Sequence, residues 1–133
     1  LFIATLGSAL DNEINSCVRE KRLLEGYILD SMGSFIIEQV VTSFQQKVDK
    51  DLEVSGKKTT RRFSPGYCSW KLTEQAILFS LLDEKKIGVR LTSGNLMVPK
   101  KSISGLFGVI GIDEESYNPC LDCQKKHCDS KRH

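Results

Sequence analysis

The chain has 133 residues, which is enough for one ordinary domain and too few for two large ones. It carries 19 Lys+Arg against 17 Asp+Glu, and a net charge of only +2 argues against a dedicated nucleic-acid-binding protein. With 40% hydrophobic and 27% charged residues the composition is that of a globular domain. No apolar run reaches the roughly 18–20 residues that span a bilayer, so we expect no membrane partner.

The first half of the chain is predicted to form one strand and two helices. The apolar residues 1–7 predict a strand, and because the chain starts inside it without a methionine, we expect that part of the native protein precedes it. Ser8 starts a first helix, in which apolar residues recur at four-residue spacing. A second helix is predicted from about Leu23 into the high forties, because apolar residues share one face at 37, 40, 41, 44 and 48. Gly33 is expected to bend or interrupt that helix.

The second half is predicted to be mostly strands. Residues 49–62 are polar and predict a loop, Pro-Gly at 65–66 predicts a turn, and residues 72–82 predict a buried helix. Strands are predicted at 87–92, 96–98 and 103–112; glycines in the last one indicate close approach of another backbone or a ligand. Helices followed by strands favour an α+β fold with an antiparallel sheet. We expect a domain over residues 1–112 and a polar tail over 113–133.

Three stretches carry residue types that suit a binding site. Around residues 61–70, Arg62 offers a planar fork for a carboxylate, Gly66 lets the backbone approach a ligand, and Tyr67 offers a flat face with a polar tip. Such a set suits a small zwitterionic or nucleoside-like ligand, although an ordinary loop has the same composition. Glu38 lies at the border of the apolar helix stripe, where it either faces a pocket or is solvated. Residues 91–105 place hydroxyl residues beside glycines, as an anion or ribose site or a tight turn requires.

Taken together, these stretches resemble the activation domain of cobalamin-dependent methionine synthase. The sequence RFSPGY at residues 62–67 matches the family pattern of an Arg before a Pro-Gly-Tyr turn. Leu-Thr at 91–92, Met-Val-Pro at 97–99 and Ser-Ile-Ser-Gly at 102–105 follow in the family's order and spacing. The resemblance covers roughly residues 25–110.

This resemblance implies a ligand, S-adenosylmethionine, and a cobalamin-carrying partner. It implies that Arg62 holds the ligand carboxylate and that Glu38 faces its cationic end. It also implies that the backbone around Ser64 and Gly66 takes the adenine edges, with Tyr67 beside the ligand. The domain would present the methyl donor to a cobalamin-binding domain or corrinoid protein, with a flavodoxin-like protein or another reductant supplying an electron. It would act as an accessory module that is not catalytic alone. The residues implied in ligand binding are Glu38, Arg62, Ser64, Gly66, Tyr67, Ser102, Ser104, Gly105 and Tyr117.

The chain also departs from the family pattern. An acidic residue that the family places near the start of the domain would lie before the first residue here. The segment after the Gly-Tyr turn is one residue shorter. The late ligand-facing tyrosine of the family falls on Tyr117, where the alignment has drifted. The cysteine-containing tail has no counterpart in the long enzyme and resembles shorter, separately encoded relatives from anaerobic bacteria.

Five cysteines, an odd number, argue against a secreted disulfide framework and favour a reducing cytoplasm. Cys17 is predicted to be a buried core thiol. The C-terminal spacing C-x2-C-x4-C supplies three thiolates, and a fourth ligand would come from the Gly-Tyr turn or from a histidine. Such a set favours Zn²⁺, with an iron–sulfur cluster second, while unligated thiols in the tail are the alternative. The predicted metal ligands are Cys68, Cys120, Cys123 and Cys128.

Two other functions remain open on the sequence. One is a metal-stabilised domain that docks a corrinoid protein without binding a ligand. The other is a thiol redox module using Cys120 and Cys123, although no βαβ pattern surrounds them as a thioredoxin-like site requires.

Overall fold

The computed structural model describes residues 1–118 and Leu121. Within these residues, no helix combines the length and apolar character that crossing a membrane demands. Two helices and a strand come first, and short strands with two short helices follow. The elements are β1 (Phe2–Thr5), α1 (Ser8–Arg19), α2 (Leu23–Glu53), β2 (Lys57–Thr59), a 3-10 turn (Leu72–Glu74), α3 (Gln75–Ser80), α4 (Glu84–Ile87), β3 (Arg90–Leu91), β4 (Met97–Val98), β5 (Ser102–Gly105) and β6 (Val109–Gly111).

The strands pair in three antiparallel ladders, which confirms the α+β prediction. Strand β1 pairs with β5 in the register Phe2 to Gly105, β2 pairs with β6, and β3 pairs with β4. Among the described residues, a further bridge joins Phe63 to Leu106, just beyond the end of β5. The predicted antiparallel sheet is therefore present as three two-stranded pieces rather than one surface.

Helices α1 and α2 pack closely because α2 has glycines on the side facing α1. A Cβ atom on Gly26 would lie 3.3 Å from Cβ of Cys17, and one on Gly33 would lie 2.5 Å from Cδ2 of Leu10. The predicted interruption at Gly33 is wrong, since α2 continues through it; the glycine provides room for a neighbouring side chain. Cys17 is fully buried in this contact, which confirms its prediction as a core thiol.

The core has an aromatic part and an aliphatic part. Phe2, Phe44 and Phe107 form a cluster with ring centroids 5.8–6.4 Å apart. Leu78, Phe79 and Val89 form the second part, with flanking residues that include Trp70 of the turn region. Trp70 thus joins the turn region to the aliphatic part of the core.

The predicted apolar stripe of α2 is only partly buried. Ile37 and Val41 are buried, but Val40 and Phe44 are each almost half exposed. Further apolar side chains on the N-terminal half of the helix, including Tyr27 and Phe35, are also exposed. The helix is therefore apolar around much of its circumference there, and one face alone packs on the described core.

Several predicted boundaries are wrong. The polar stretch 49–62 continues α2 to Glu53 and then forms β2, so only part of it is a loop. Residues 72–82 form the 3-10 turn and α3, whose Ile77 and neighbouring Leu81 are about two-thirds exposed, so this helix is half-buried rather than buried. Residues 87–92 contain the end of α4 and the two residues of β3, and 103–112 divides into β5 and β6.

Candidate functional site

A row of polar side chains on α2 holds the segment that leads to Arg62. Glu38, Thr42, Gln45 and Asp49 are spaced by four, three and four residues, so they share one helix face. We call this row the polar ladder. After α2 the chain turns back, and residues 59–62 run antiparallel to the helix along the ladder.

Gln45 and Asp49, towards the C-terminal end of the polar ladder, hold backbone and side-chain groups of Thr59 and Thr60. Asp49 Oδ1 accepts a hydrogen bond from the Thr59 amide N–H at 2.6 Å. The side-chain amide of Gln45 donates to Thr59 Oγ1 at 2.7 Å and to the carbonyl oxygen of Thr60 at 2.9 Å. On the other side, Thr60 accepts a bond from the Gly108 amide N–H and donates its own amide N–H to the Gly108 carbonyl. This segment is therefore fixed between α2 and the loop before β6.

Glu38 and Thr42, towards the N-terminal end of the polar ladder, contact the guanidinium of Arg62. Its Nη2 atom lies 3.4 Å from Glu38 Oε2 and 3.4 Å from Thr42 Oγ1. Both distances exceed the ~2.7–2.9 Å usual for a charge-assisted bond. The Arg62 side chain is only 13% exposed, whereas that of Glu38 is 44% exposed. The structure thus brings the two residues predicted to bind opposite ends of a zwitterion side by side, with the carboxylate nearer to solvent.

The Pro-Gly-Tyr stretch is a tight turn directly after Arg62. Gly66 has φ +92°, a conformation that favours glycine. Its amide N–H donates to the Trp70 carbonyl at 2.8 Å, and Trp70 donates back to the Tyr67 carbonyl at 3.0 Å. Tyr67 itself is about half exposed. The turn therefore presents the Tyr67 ring at the surface on a hydrogen-bonded frame.

The end of strand β5 lies against the segment that leads into this turn. Phe63 and Leu106 exchange two backbone hydrogen bonds of 2.9 Å. A Cβ atom on Gly105 would lie 2.5 Å from the Phe63 carbonyl oxygen and 2.8 Å from Ser64 Oγ. The close backbone approach predicted from the glycines of residues 103–112 is confirmed here. Ser64, Gly66 and Gly105 therefore lie in one neighbourhood with Arg62.

The hydroxyl groups of Ser102 and Ser104 have partners in the core. Ser102 Oγ lies 2.7 Å from the Pro99 carbonyl oxygen and 2.8 Å from Thr5 Oγ1. Ser104 Oγ donates to Gln75 Oε1 at 3.2 Å, and Ser104 is only 2% exposed. These hydroxyl groups are therefore paired with groups other than Arg62, and a role of Ser102 and Ser104 in ligand binding stays a prediction.

The start of the tail passes beside the site. The Arg61 amide N–H donates to Ser116 Oγ at 2.8 Å. Tyr117, the next residue, is 60% exposed. Tyr117 therefore follows directly after a residue that contacts Arg61, and its role in ligand binding stays a prediction.

The predicted metal site falls mostly outside the described residues. Cys120, Cys123 and Cys128 lie there, and Cys68, in the turn, is half-buried. Within residues 1–118 and at Leu121, no group of three or more His, Cys, Asp or Glu side chains is placed to hold a metal ion. The metal prediction therefore remains a prediction from the cysteine spacing.

Sequence reasoning missed three members of the site, Thr42, Gln45 and Asp49. Their spacing from Glu38 was a visible signal, since four polar residues on one face of a long helix predict a contact or a solvated face. The sequence did not reveal which segment would lie on that face.

Comparison with known families identifies one match. The family model for the vitamin B12 dependent methionine synthase, activation domain, matches residues 32–130, which include α2 from residue 32 onward, the turn and β5. A search of the curated proteins found no match.

Proposed function

Because this chain belongs to the family of the activation domain of vitamin B12-dependent methionine synthase, we propose that it binds S-adenosylmethionine and reactivates cobalamin. The family places the chain in the B12-dependent methionine synthase system, and it implies a cobalamin-binding partner domain. Ligand binding and reactivation are the steps that we add.

One observation carries the ligand proposal, namely the placement of Arg62 beside Glu38. The amino-acid end of S-adenosylmethionine carries a carboxylate and an ammonium on the same carbon. A guanidinium and a carboxylate 3.4 Å apart offer each group a partner of opposite charge. The contact between the two side chains is longer than the bonds of about 2.7–2.9 Å that each would make to a charged group of the ligand.

The remaining groups of the ligand suit the turn. Backbone atoms around Ser64 and Gly66 would take the adenine edges, because glycine allows a close approach. Tyr67 and Tyr117 supply exposed aromatic faces, which attract the sulfonium cation and pack on the adenine ring. Gly105 has no side chain to offer the ligand, and its part is to let strand β5 pack closely against Phe63 and Ser64.

In this proposal the chain contributes binding and orientation. Cobalamin on the partner supplies the methyl-accepting cobalt, after reduction by an external electron donor such as a flavodoxin-like protein. This chain holds the amino-acid end of the ligand, so that its methyl group is presented outward at the surface. The cysteine content fits a reducing cytoplasm as the site of this activity.

Calorimetric titration of S-adenosylmethionine into the protein tests the proposal. We expect saturable binding that Arg62→Ala weakens by about 1.5–3 kcal/mol, the scale of a lost bond to a charged group. That loss corresponds to roughly a tenfold to hundredfold rise in Kd. Arg61→Ala is the matched control, because Arg61 is an adjacent exposed arginine whose contact to Ser116 uses its backbone N–H.

Two outcomes would contradict the proposal. An absence of saturable binding at millimolar ligand would favour a domain that docks the cobalamin protein without a ligand. Equal affinity of Arg62→Ala and Arg61→Ala would remove Arg62 from the site.

A further inference from the structure

The polar ladder raises the question of what holds Arg62 once a ligand is bound. A ligand that pairs its carboxylate with Arg62 and its ammonium with Glu38 replaces the direct contact between the two side chains. Thr42 differs from Glu38 in that its hydroxyl group is neutral, so it forms no ion pair with the ligand and can keep its contact with Arg62. Thr42 Oγ1 donates to the Glu38 backbone carbonyl at 2.9 Å, which turns its lone pairs towards Arg62 Nη2.

Gln45 acts one step further back along the chain. Its amide group bonds both to Thr59 Oγ1 and to the Thr60 carbonyl oxygen. Thr60 is two residues before Arg62, so this contact fixes the distance of the Arg62 backbone from α2. Both Thr42 and Gln45 are half-buried, where an amide or hydroxyl that loses its partner pays a desolvation cost.

We propose that Thr42 and Gln45 are positioning residues of the ligand site. Thr42 holds the guanidinium of Arg62, and Gln45 holds the backbone that carries it. The inference rests on the proposed function, because the position it concerns is that of the carboxylate-binding group. It extends the site from the ligand-facing residues to the face of α2 that supports them.

The test for Thr42 compares two substitutions of similar size. Thr42→Val removes the oxygen and keeps the shape, while Thr42→Ser keeps the oxygen. We expect Thr42→Val to weaken S-adenosylmethionine binding about threefold to tenfold, the scale of one net hydrogen bond, and Thr42→Ser to bind within about twofold of the wild type. The thermal midpoint of unliganded Thr42→Val should fall by no more than the few degrees that one lost hydrogen bond costs, so that the variant stays folded during the titration.

The test for Gln45 uses its neighbour as a control. Gln45→Met keeps the length of the side chain and removes its donors, and we expect about a threefold or larger loss of affinity. Gln46→Met makes the same change at an exposed position on the same helix and should bind as the wild type does. Equal affinities of the two methionine variants would overturn the role of Gln45.

A ligand-free measurement separates this inference from the proposed function. In ¹⁵N spectra, an arginine whose guanidinium is held shows resolved Nη signals, and we expect those of Arg62 to merge in Thr42→Val and to persist in Thr42→Ser. If the wild type binds no ligand but these signals respond, the proposed function fails and the contact stands. If the wild type binds and Thr42→Val binds equally well, the positioning role is wrong and the proposed function stands.

Discussion

Replacing Gly105 with alanine would place a Cβ atom 2.5 Å from the carbonyl oxygen of Phe63 and 3.1 Å from Cζ of Phe2. The ring of Phe2 belongs to the aromatic cluster and has little room to move. The Phe63 carbonyl oxygen accepts a 2.9 Å bond from the Leu106 amide N–H, so its retreat stretches that bond. An ordinary contact begins near 3.4 Å, which requires a displacement of roughly 0.9 Å.

The expected cost follows from these contacts. Overpacking of this kind typically destabilises a domain by about 1–3 kcal/mol. Alanine loses less backbone entropy on folding than glycine does, which offsets roughly 0.5–1 kcal/mol of that destabilisation. We therefore expect Gly105→Ala to lower the free energy of unfolding by about 1–2 kcal/mol. For a domain of this size that corresponds to a fall in Tm of about 4–8 °C.

Urea denaturation and thermal scans measure this effect, with Gly94→Ala as the matched control. A Cβ on Gly94 meets its nearest neighbour, Thr92 Oγ1, at 3.9 Å, so that variant should unfold as the wild type does. Because the displaced Phe63 is next to Arg62, Gly105→Ala should also weaken ligand binding. If Gly105→Ala were as stable as Gly94→Ala, the close approach of β5 to the turn would be refuted.

Two further predictions concern the Lys101 contact and the cysteine tail. The nearly buried Lys101 ammonium lies 2.8 Å from Asp30 Oδ1 and 2.9 Å from Ser34 Oγ, so Asp30→Ala should cost about 1–3 kcal/mol in urea denaturation. Lys101→Met should cost less, because it leaves no ammonium without its carboxylate; the opposite order would contradict this. Cys123→Ser should lower both the metal content and the stability of protein purified without oxygen. A wild-type protein without metal under the same conditions would refute the metal prediction.

The fold class was predictable from the sequence because it depends on long patterns. Helix α2 has enough apolar positions to define its period, and β1 is apolar enough to predict a strand. Strand β2 was missed because three polar residues, Lys57–Thr59, carry no periodicity of their own. Their conformation comes from pairing with β6 and from Asp49 and Gln45 on α2, which are tertiary contacts.

Of the candidate site, the sequence indicated only the residues that we propose to face the ligand. Arg62, Gly66 and Tyr67 belong to one short motif, and Glu38 followed from the family resemblance. Thr42 and Gln45 are ordinary helix residues whose importance depends on the segment that returns along α2. The prediction of a loop over residues 49–62 concealed this return path, because a loop has no defined direction relative to the helix.

The hydroxyls of Ser102 and Ser104 illustrate a different difficulty. Small polar residues beside glycine suit an anion site and a buried strand equally well, and their burial decides between these uses. Here the two side chains point to partners on β1 and α3, since Thr5 pairs opposite Ser102 and Gln75 reaches Ser104. The sequence order of these partners gives no indication of that proximity.

Among the described residues, two sets of contacts on opposite sides of the segment hold Arg62 in position. From one side, the polar ladder ties residues 59–62 to α2. From the other side, Gly105 and Leu106 hold Phe63 at the end of β5. Strand β5 is itself tied to α2 just before its first residue, where Lys101 pairs with Asp30. Helix α2, strand β5 and residues 59–63 are thus each joined to the other two. A shift of any one of them would therefore strain its contacts with both of the others. If Arg62 holds the carboxylate of S-adenosylmethionine as we propose, such an arrangement fixes the guanidinium before the ligand binds and reduces the ordering cost of binding.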